Sequence, residues 1–235
     1  MLYVVSGAVL VFLWGSNNVN AQQIDFGFSA GMNVSSHLKK FIFTDNDVTL
    51  RLTPEITAGY QSGFLVRKDL SPALRIQTEP TLILLGAKYS ESFTLRGTEF
   101  KTESKSRLYY LQLPLLLQLS TNPPNKNVYG REFRTTNFHL TGGVFGGYLL
   151  DGRFKGTNTG TPIGIPFEGE FQNDVTSQYN NFDGGVILGI GVEHGRYTKL
   201  GFETRALFSV FDTGNMPSNF EPQNMALTFA AYYIF

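Results

Sequence analysis

The chain contains no cysteine among its 235 residues. This absence excludes disulfide bonds, thiolate nucleophiles and cysteine-ligated zinc sites. It also excludes a lipid anchor attached through cysteine. A chain without free thiols is compatible with an oxidising compartment.

Charge is scarce as well. Asp, Glu, Lys and Arg together make up 16% of the residues, and the formal net charge is +0. This balance excludes a strongly basic nucleic-acid-binding protein and a polyanionic one. Mean hydropathy is −0.09, which excludes a bundle of membrane helices. Aromatic residues nevertheless reach 14% and glycine 25 residues, which favours a surface that contacts lipid.

The N-terminal part has one apolar run, Val4 to Trp14, which is too short to cross a bilayer as a helix. Val19 and Ala21 supply the residues at positions −3 and −1 of a cleavage site. No Lys or Arg precedes the run, unlike in a typical signal peptide. We predict a signal peptide over residues 1–21 and one β-barrel domain over residues 22–235.

After Gln22 apolar residues recur at every second position in eight segments, and no helical period or internal repeat is present. The segments lie at about 24–34, 54–66, 72–88, 108–119, 137–150, 182–193, 200–210 and 224–235. A strand needs roughly 9–11 residues to cross a bilayer. The pattern therefore predicts an all-β fold, a transmembrane antiparallel up-and-down β-barrel of eight strands.

The face opposite the apolar one is polar, which separates a membrane barrel from a soluble, lipocalin-like one. By alternation it carries Asp25, Glu55, Arg75, Glu79, His139, Asp183, Glu193, Glu203 and Arg205, with glutamines and ten glycines. In an eight-stranded barrel these side chains fill the lumen. Buried charges there require ion pairs and hydrogen bonds.

The connections predict the orientation of the barrel. Segments 35–53, 89–106, 151–181 and 212–223 are long and polar, as expected for outer loops, whereas 67–71 and 195–197 fit short periplasmic turns. Residues 120–135 form an unusually long inner turn. The last strand should pair with the first and turn Leu227, Phe229, Tyr233 and Phe235 towards lipid, where the barrel-assembly machinery would recognise them.

Two motifs carry a family resemblance. The stretch Gly27 to Ser35 resembles the opening strand of the PorT-like outer-membrane β-barrel family of Bacteroidota, and Leu111 to Leu117 resembles that family's leucine–proline strand. The resemblance implies an eight-stranded barrel in the outer membrane of a Gram-negative bacterium. It implies no activity, although the namesake of the family is linked to type IX secretion.

Candidate chemistry is sparse. His37 falls in the first outer loop, while His139 and His194 fall near the periplasmic ends of strands, with Glu193 as the nearest acid to His139. Their spacing predicts no metal pair. One interpretation is a luminal histidine whose imidazole is paired with an acidic side chain. The alternative is a hydrolytic set of side chains assembled across strands, as in membrane-barrel lipases.

Two further patterns are weaker candidates. Gly185, Gly189 and Gly191 mimic a dinucleotide-binding loop but are followed by a strand end instead of a helix. Loop 151–181 contains Asp151, Glu168, Glu170 and Asp174 without the alternating spacing of a calcium loop. We therefore predict no catalytic, cofactor-binding or metal-binding residues.

The sequence thus predicts a non-enzymatic outer-membrane protein that is structural or binds periplasmic or surface proteins through its loops. We also predict a link to secretion or envelope assembly. A small porin-like channel and, less favoured, a membrane-barrel hydrolase are the alternatives.

Overall fold

The computed structural model describes residues 24–39, 41–45, 48–71, 73–95, 98–121, 136–161, 166–195, 198–214 and 222–235. Side chains are not described for residues 41–52 and 92–100. The predicted signal peptide and most of the predicted turn at 120–135 lie outside the described residues. No helix in these ranges is long and apolar enough to cross a membrane.

The described residues form fourteen strands and one short 3-10 helix, Thr176–Gln178. The strands are β1 (Ile24–His37), β2 (Phe41–Asp45), β3 (Val48–Leu52), β4 (Pro54–Glu55), β5 (Thr57–Asp69), β6 (Leu74–Thr78), β7 (Thr81–Leu85), β8 (Lys88–Leu95), β9 (Thr98–Ser120), β10 (Thr136–Gly160), β11 (Phe167–Asp174), β12 (Phe182–Gly195), β13 (Lys199–Ser209) and β14 (Asn224–Ile234).

Eight antiparallel strands close into a ring in the order β1, β5, β6/β7, β9, β10, β12, β13 and β14. Strands β6 and β7 are two halves of one barrel strand, interrupted at Glu79–Pro80, and both halves pair with β5 and β9. Pairing of β14 with β1 closes the ring. The predicted eight-stranded barrel and its closing pair are confirmed.

Alternation places the two residue classes on opposite sides of the wall. On β9 the leucines at odd positions face outwards, and Leu113 is 54% exposed, whereas Gln112 and Gln118 are buried inside. On β14 Leu227, Phe229 and Tyr233 face outwards as predicted. The predicted inward residues are buried with one exception: Glu55 lies in the short strand β4 and is exposed. It therefore does not belong to the lumen.

Both termini of the barrel lie at one end, which we call the terminal end, together with the short turn between β5 and β6 and that between β12 and β13. At the opposite end, the far end, β9 and β10 continue well past the outward leucines. There they form a five-stranded sheet in the order β4, β8, β9, β10 and β11, in which β4 contributes only two residues. The prediction of loops at 35–53, 89–106 and 151–181 is therefore wrong for most of these residues, which are strands, and β2 and β3 pair as a hairpin within the first of them.

A bulge marks the point where β10 leaves the band of outward apolar residues. The register with β9 shifts between Leu149 and Asp151, so that one extra residue, Leu150, lies in β10. Before the bulge even-numbered residues of β10 face outwards, and after it odd-numbered residues do. The bulge thus turns Arg153 and Lys155 to the outer face of the far sheet.

Candidate functional site

The terminal end of the lumen is filled by an ion-pair cluster around Glu193. This carboxylate accepts hydrogen bonds from Arg67, from Arg75 at 3.1 Å and from the Tyr232 hydroxyl at 3.2 Å. The Arg67 guanidinium also lies 5.3 Å from the centroid of the Tyr232 ring. All four side chains are buried, so each charge depends on its partners for stabilisation.

A second cluster lies further into the lumen. Arg205 contacts Glu79 at 2.7 Å and Glu203 at 2.9 Å, and Ser29 donates a hydrogen bond to Glu79. Nε2 of His139 is 3.7 Å from Glu203. The two clusters together bury three arginines and three glutamates, so their formal charges balance.

The middle of the lumen contains almost no free space. Its inward side chains leave a cavity of ≈ 10 Å³, lined by Gln61, Thr81, Gln112, Pro114, Ile187, Arg205, Leu207 and Thr228. A single water molecule requires at least this volume. This level of the barrel therefore has no room for a continuous column of water.

The far end of the lumen contains an apolar core beside a buried polar group, in which Asp183 accepts hydrogen bonds from Ser209 and Asn224 at 2.8 Å. Its core comprises Ile83, Leu85, Leu108, Tyr110, Leu116, Phe145, Leu149, Val175, Tyr179, Ile187, Leu207 and Ala226. Val175 and Tyr179 flank the 3-10 helix and fold into the mouth, where they are 6% and 4% exposed. The amide of Val175 donates to the carbonyl of Gly152 at 2.9 Å, which holds this segment against the wall. The segment closes the lumen from the far side.

Outside the mouth, the far sheet carries basic residues in neighbouring positions on its outer face. Lys105 of β9 pairs directly with Lys88 of β8 and with Lys155 of β10. Arg107, two residues along β9, pairs with Arg153 of β10. Partial burial and the charge of Arg107 lower the pKa of Lys105. Positive charge is therefore concentrated in this part of the sheet.

Acidic residues compensate only part of this charge. Asp151 contacts Arg153 at 2.8 Å, and Glu103 contacts Lys101 at 3.2 Å and Lys88 at 3.6 Å. A hydrogen bond from Lys101 and the charges of Lys88 and Lys101 lower the pKa of Glu103. Among the described residues no carboxylate lies within 4.0 Å of the side-chain nitrogens of Lys105, Arg107 or Lys155.

The structure changes the predicted pairing of His139. Its partner is Glu203 and not Glu193, because His139, Gly191 and Glu203 form one row across β10, β12 and β13. Gly191 has no side chain, so the imidazole reaches past it to Glu203. The pairing with Glu193 was therefore wrong, since that carboxylate is taken by Arg67 and Arg75.

The other two histidines lie apart from this cluster. His37 is the last residue of β1, buried at the mouth with its Nδ1 2.6 Å from the Tyr89 hydroxyl, so its predicted loop position is wrong. His194 lies at the terminal end, 2.8 Å from the Thr136 hydroxyl. The three histidines therefore belong to separate sites.

The remaining candidates are structural where the chain is described. Gly185, Gly189 and Gly191 lie within β12, where an added Cβ at Gly189 would approach the Thr204 carbonyl to 2.9 Å. Asp174 accepts hydrogen bonds from Thr176, which lower its pKa. Within the described ranges, no group of three or more His, Asp or Glu side chains is placed to hold a metal ion.

The predicted turn at 67–71 is wrong for Arg67, which is a luminal residue that the sequence analysis did not predict. It lies near the end of β5 and is 1% exposed. Its position shares the alternation of Gly59, Gln61 and Gly63, so the signal was present in the sequence.

The chain belongs to the family described as outer membrane protein beta-barrel domain, whose model matches residues 20–215. The protein is therefore an outer-membrane β-barrel. The terminal end, with its short turns, corresponds to the periplasmic side and the far end to the extracellular side. A search of curated proteins finds no match.

Several solved structures are similar to the chain. The attachment invasion locus protein Ail of Yersinia pestis has 9% identity and a TM-score of 0.33, with 90% of this chain and 98% of Ail covered. Neisserial surface protein A has 9% identity and a TM-score of 0.35, with 91% and 100% covered. CarO of Acinetobacter baumannii has 12% identity and a TM-score of 0.34, with 87% and 96% covered.

Proposed function

We propose that this outer-membrane barrel is closed and non-enzymatic, and that it acts by binding a protein partner at the cell surface. The observation that carries the proposal is the filled lumen, which is occupied by ion pairs at the periplasmic end and by an apolar core at the extracellular end. A closed barrel leaves its external surfaces as the place for function.

The filled lumen argues against the channel alternative. The ≈ 10 Å³ cavity at mid-height interrupts any aqueous path there, and the segment from Val175 to Tyr179 occupies the mouth. The test is single-channel recording with the refolded protein in a planar bilayer. We expect no steady current above that of the lipid alone. A stable open level that scales with salt concentration would refute the closed barrel.

The hydrolase alternative has little geometric support. His139 is buried and contacts Glu203, and no serine hydroxyl is hydrogen-bonded to it among the described residues. A hydrolytic triad requires a nucleophile within hydrogen-bond distance of the base. Phospholipid hydrolysis assays on the protein and on His139→Ala should give equal, background rates. Turnover that the substitution removes would overturn the non-enzymatic proposal.

The free edge of the extracellular sheet supports partner binding. Strand β11 pairs with β10 on one side and with no other strand of the described chain. An open edge can accept a strand from another protein. Phe167, Glu168 and Glu170 are exposed along it, which favours a partner segment with apolar and basic residues.

Site-specific cross-linking in intact cells tests this proposal. A photoreactive amino acid at Phe167 should give a discrete protein adduct, and the same group at the lipid-facing Leu113 should not. Charge reversal at Glu168 and Glu170 should weaken the adduct. Equal labelling at Phe167 and Leu113, or none at Phe167, would contradict partner binding at this edge.

Two finer assignments are also proposals. The motifs at Gly27 to Ser35 and Leu111 to Leu117 support membership of the PorT-like group of Bacteroidota, with a role in secretion or envelope assembly. The outward aromatic side chains of Phe229, Tyr233 and Phe235 support recognition of the last strand by the barrel-assembly machinery.

A further inference from the structure

Lys105, Lys155 and Arg107 on the outer face of the extracellular sheet have no carboxylate within 4.0 Å among the described residues, whereas the neighbouring Lys88 contacts Glu103 and lies opposite Glu55. Lys88, Lys105 and Lys155 stand side by side on three adjacent strands. Directly paired residues in a sheet have Cβ atoms about 5 Å apart, and like charges placed there destabilise the pairing. The sheet therefore bears a repulsion that a bound anion would relieve.

These residues lie at a defined height above the membrane. Tyr109 and Tyr60 lie next to each other on the outer surface, and below them the wall is apolar, with Leu82 and Leu111 outwards. Tyrosines of this kind mark the interface of lipid and water. Arg107 and Lys105 follow Tyr109 by two and four residues. At a strand tilt near 40°, they stand about 5 and 10 Å above it.

That height corresponds to the lipid headgroups. The headgroup layer occupies about 5–8 Å on each side of the hydrocarbon core. Arg107 lies within this layer and Lys105 a few ångströms above it, while both face outwards, away from the lumen. Long lysine and arginine side chains can also bend towards the layer from slightly above it.

We propose that Lys88, Lys105, Lys155 and Arg107 form a binding site for the phosphate of an outer-leaflet lipid headgroup. Lysine supplies compact positive charge and arginine a planar pair of donors, and both suit phosphate oxygens. The acyl chains of the lipid would lie along the wall below Tyr109. The site is separate from the free edge of β11, so it does not depend on the proposed protein partner.

The charges around the site support a ligand of this class. On the same face, Glu103 is engaged by Lys88 and Lys101, and Asp151 by Arg153, which leaves Lys105, Lys155 and Arg107 without a carboxylate partner in the described chain. Of the acids of β11, Asp174 lies opposite Arg153, whereas Glu168 and Glu170 lie opposite Thr159 and Thr157.

Native mass spectrometry of the refolded full chain in detergent tests the site, with phosphatidic acid as the probe. Diacylglycerol with the same acyl chains lacks the phosphate, and glycerol 3-phosphate lacks the chains. We expect Lys105→Gln to weaken phosphatidic acid binding about fivefold, and Lys105→Gln combined with Lys155→Gln to weaken it more than tenfold. The matched control Lys101→Gln, on the same face but further from the membrane, should change it less than twofold.

A stability measurement separates the site from a structural role. Without phosphatidic acid, Lys105→Gln should leave the barrel as stable as the parent or slightly more stable, because a repulsion is removed. Unchanged lipid binding in the double variant would overturn the proposal. If glycerol 3-phosphate bound as tightly as phosphatidic acid, or dextran sulfate bound more tightly, the ligand would be a soluble anion and the proposal of a lipid ligand would be wrong.

Discussion

Removal of the Glu193 carboxylate is the sharpest test of the luminal network. Glu193→Ala deletes the acceptor of three hydrogen bonds and leaves Arg67 and Arg75 facing each other at the periplasmic end. Arg75 keeps Asp69 at 3.2 Å, but this partner is 45% exposed. Arg67 keeps only neutral partners, Gln77 at 3.1 Å and the ring of Tyr232. Loss of one partner from a buried ion pair costs about 3–5 kcal/mol.

The assay is urea unfolding of the barrel in phospholipid vesicles, followed by the gel shift between folded and heat-denatured forms. Glu168→Ala, an exposed acid of β11, is the matched control and should change the free energy of unfolding by less than about 0.5 kcal/mol. Arg67→Met combined with Glu193→Ala should lose less than the sum of the two single losses, because the uncompensated charge is removed. A loss below about 1 kcal/mol for Glu193→Ala, or strict additivity, would refute the reasoning.

Three further outcomes are expected. Gly143→Ala should destabilise the barrel by about 2 kcal/mol or more in the same assay, because its Cβ would lie 2.9 Å from the Cα of Leu116. The control is Gly146→Ala on the same strand, whose Cβ would meet nothing within 4 Å and which should be neutral. Phe235→Asp should lower the amount of assembled barrel in cells while leaving refolding in vitro unchanged; an equal defect in both would assign the effect to stability. Arg107→Gln should raise the pKa of Lys105, which NMR of methylated lysine can follow. An unchanged pKa would mean that the charge of Arg107 has no effect on Lys105.

The membrane-spanning part of the fold could be predicted from the sequence because lipid and lumen impose opposite polarities on alternate residues. Leu113 and Gln112 differ so strongly that the face of each follows directly. This contrast disappears above the membrane, where Lys101, Thr102 and Glu103 all meet water on at least one side. The extension of β9 and β10 therefore gave no hydrophobic signal and was interpreted as loops.

The partners within the lumen could not be predicted for a different reason. Arg67 and Glu193 are 126 positions apart, and they meet across the lumen only because of the register of several strand pairs. The contact of His139 with Glu203 depends on the missing side chain of Gly191. Alternation fixes which residues point inwards, but the stagger between strands decides which of them meet.

The continuity of β9 and β10 has a consequence for binding at the cell surface. Because the same two strands form the barrel wall and the centre of the extracellular sheet, no loop separates sheet from barrel in these strands, and β10 passes the membrane surface with a single bulge at Leu150. The tilt of the sheet towards the bilayer is therefore set by the tilt of the barrel. A molecule that binds this sheet therefore meets a surface at a fixed angle to the membrane. The sheet has little orientational freedom to lose on binding, which lowers the entropic cost of the complex.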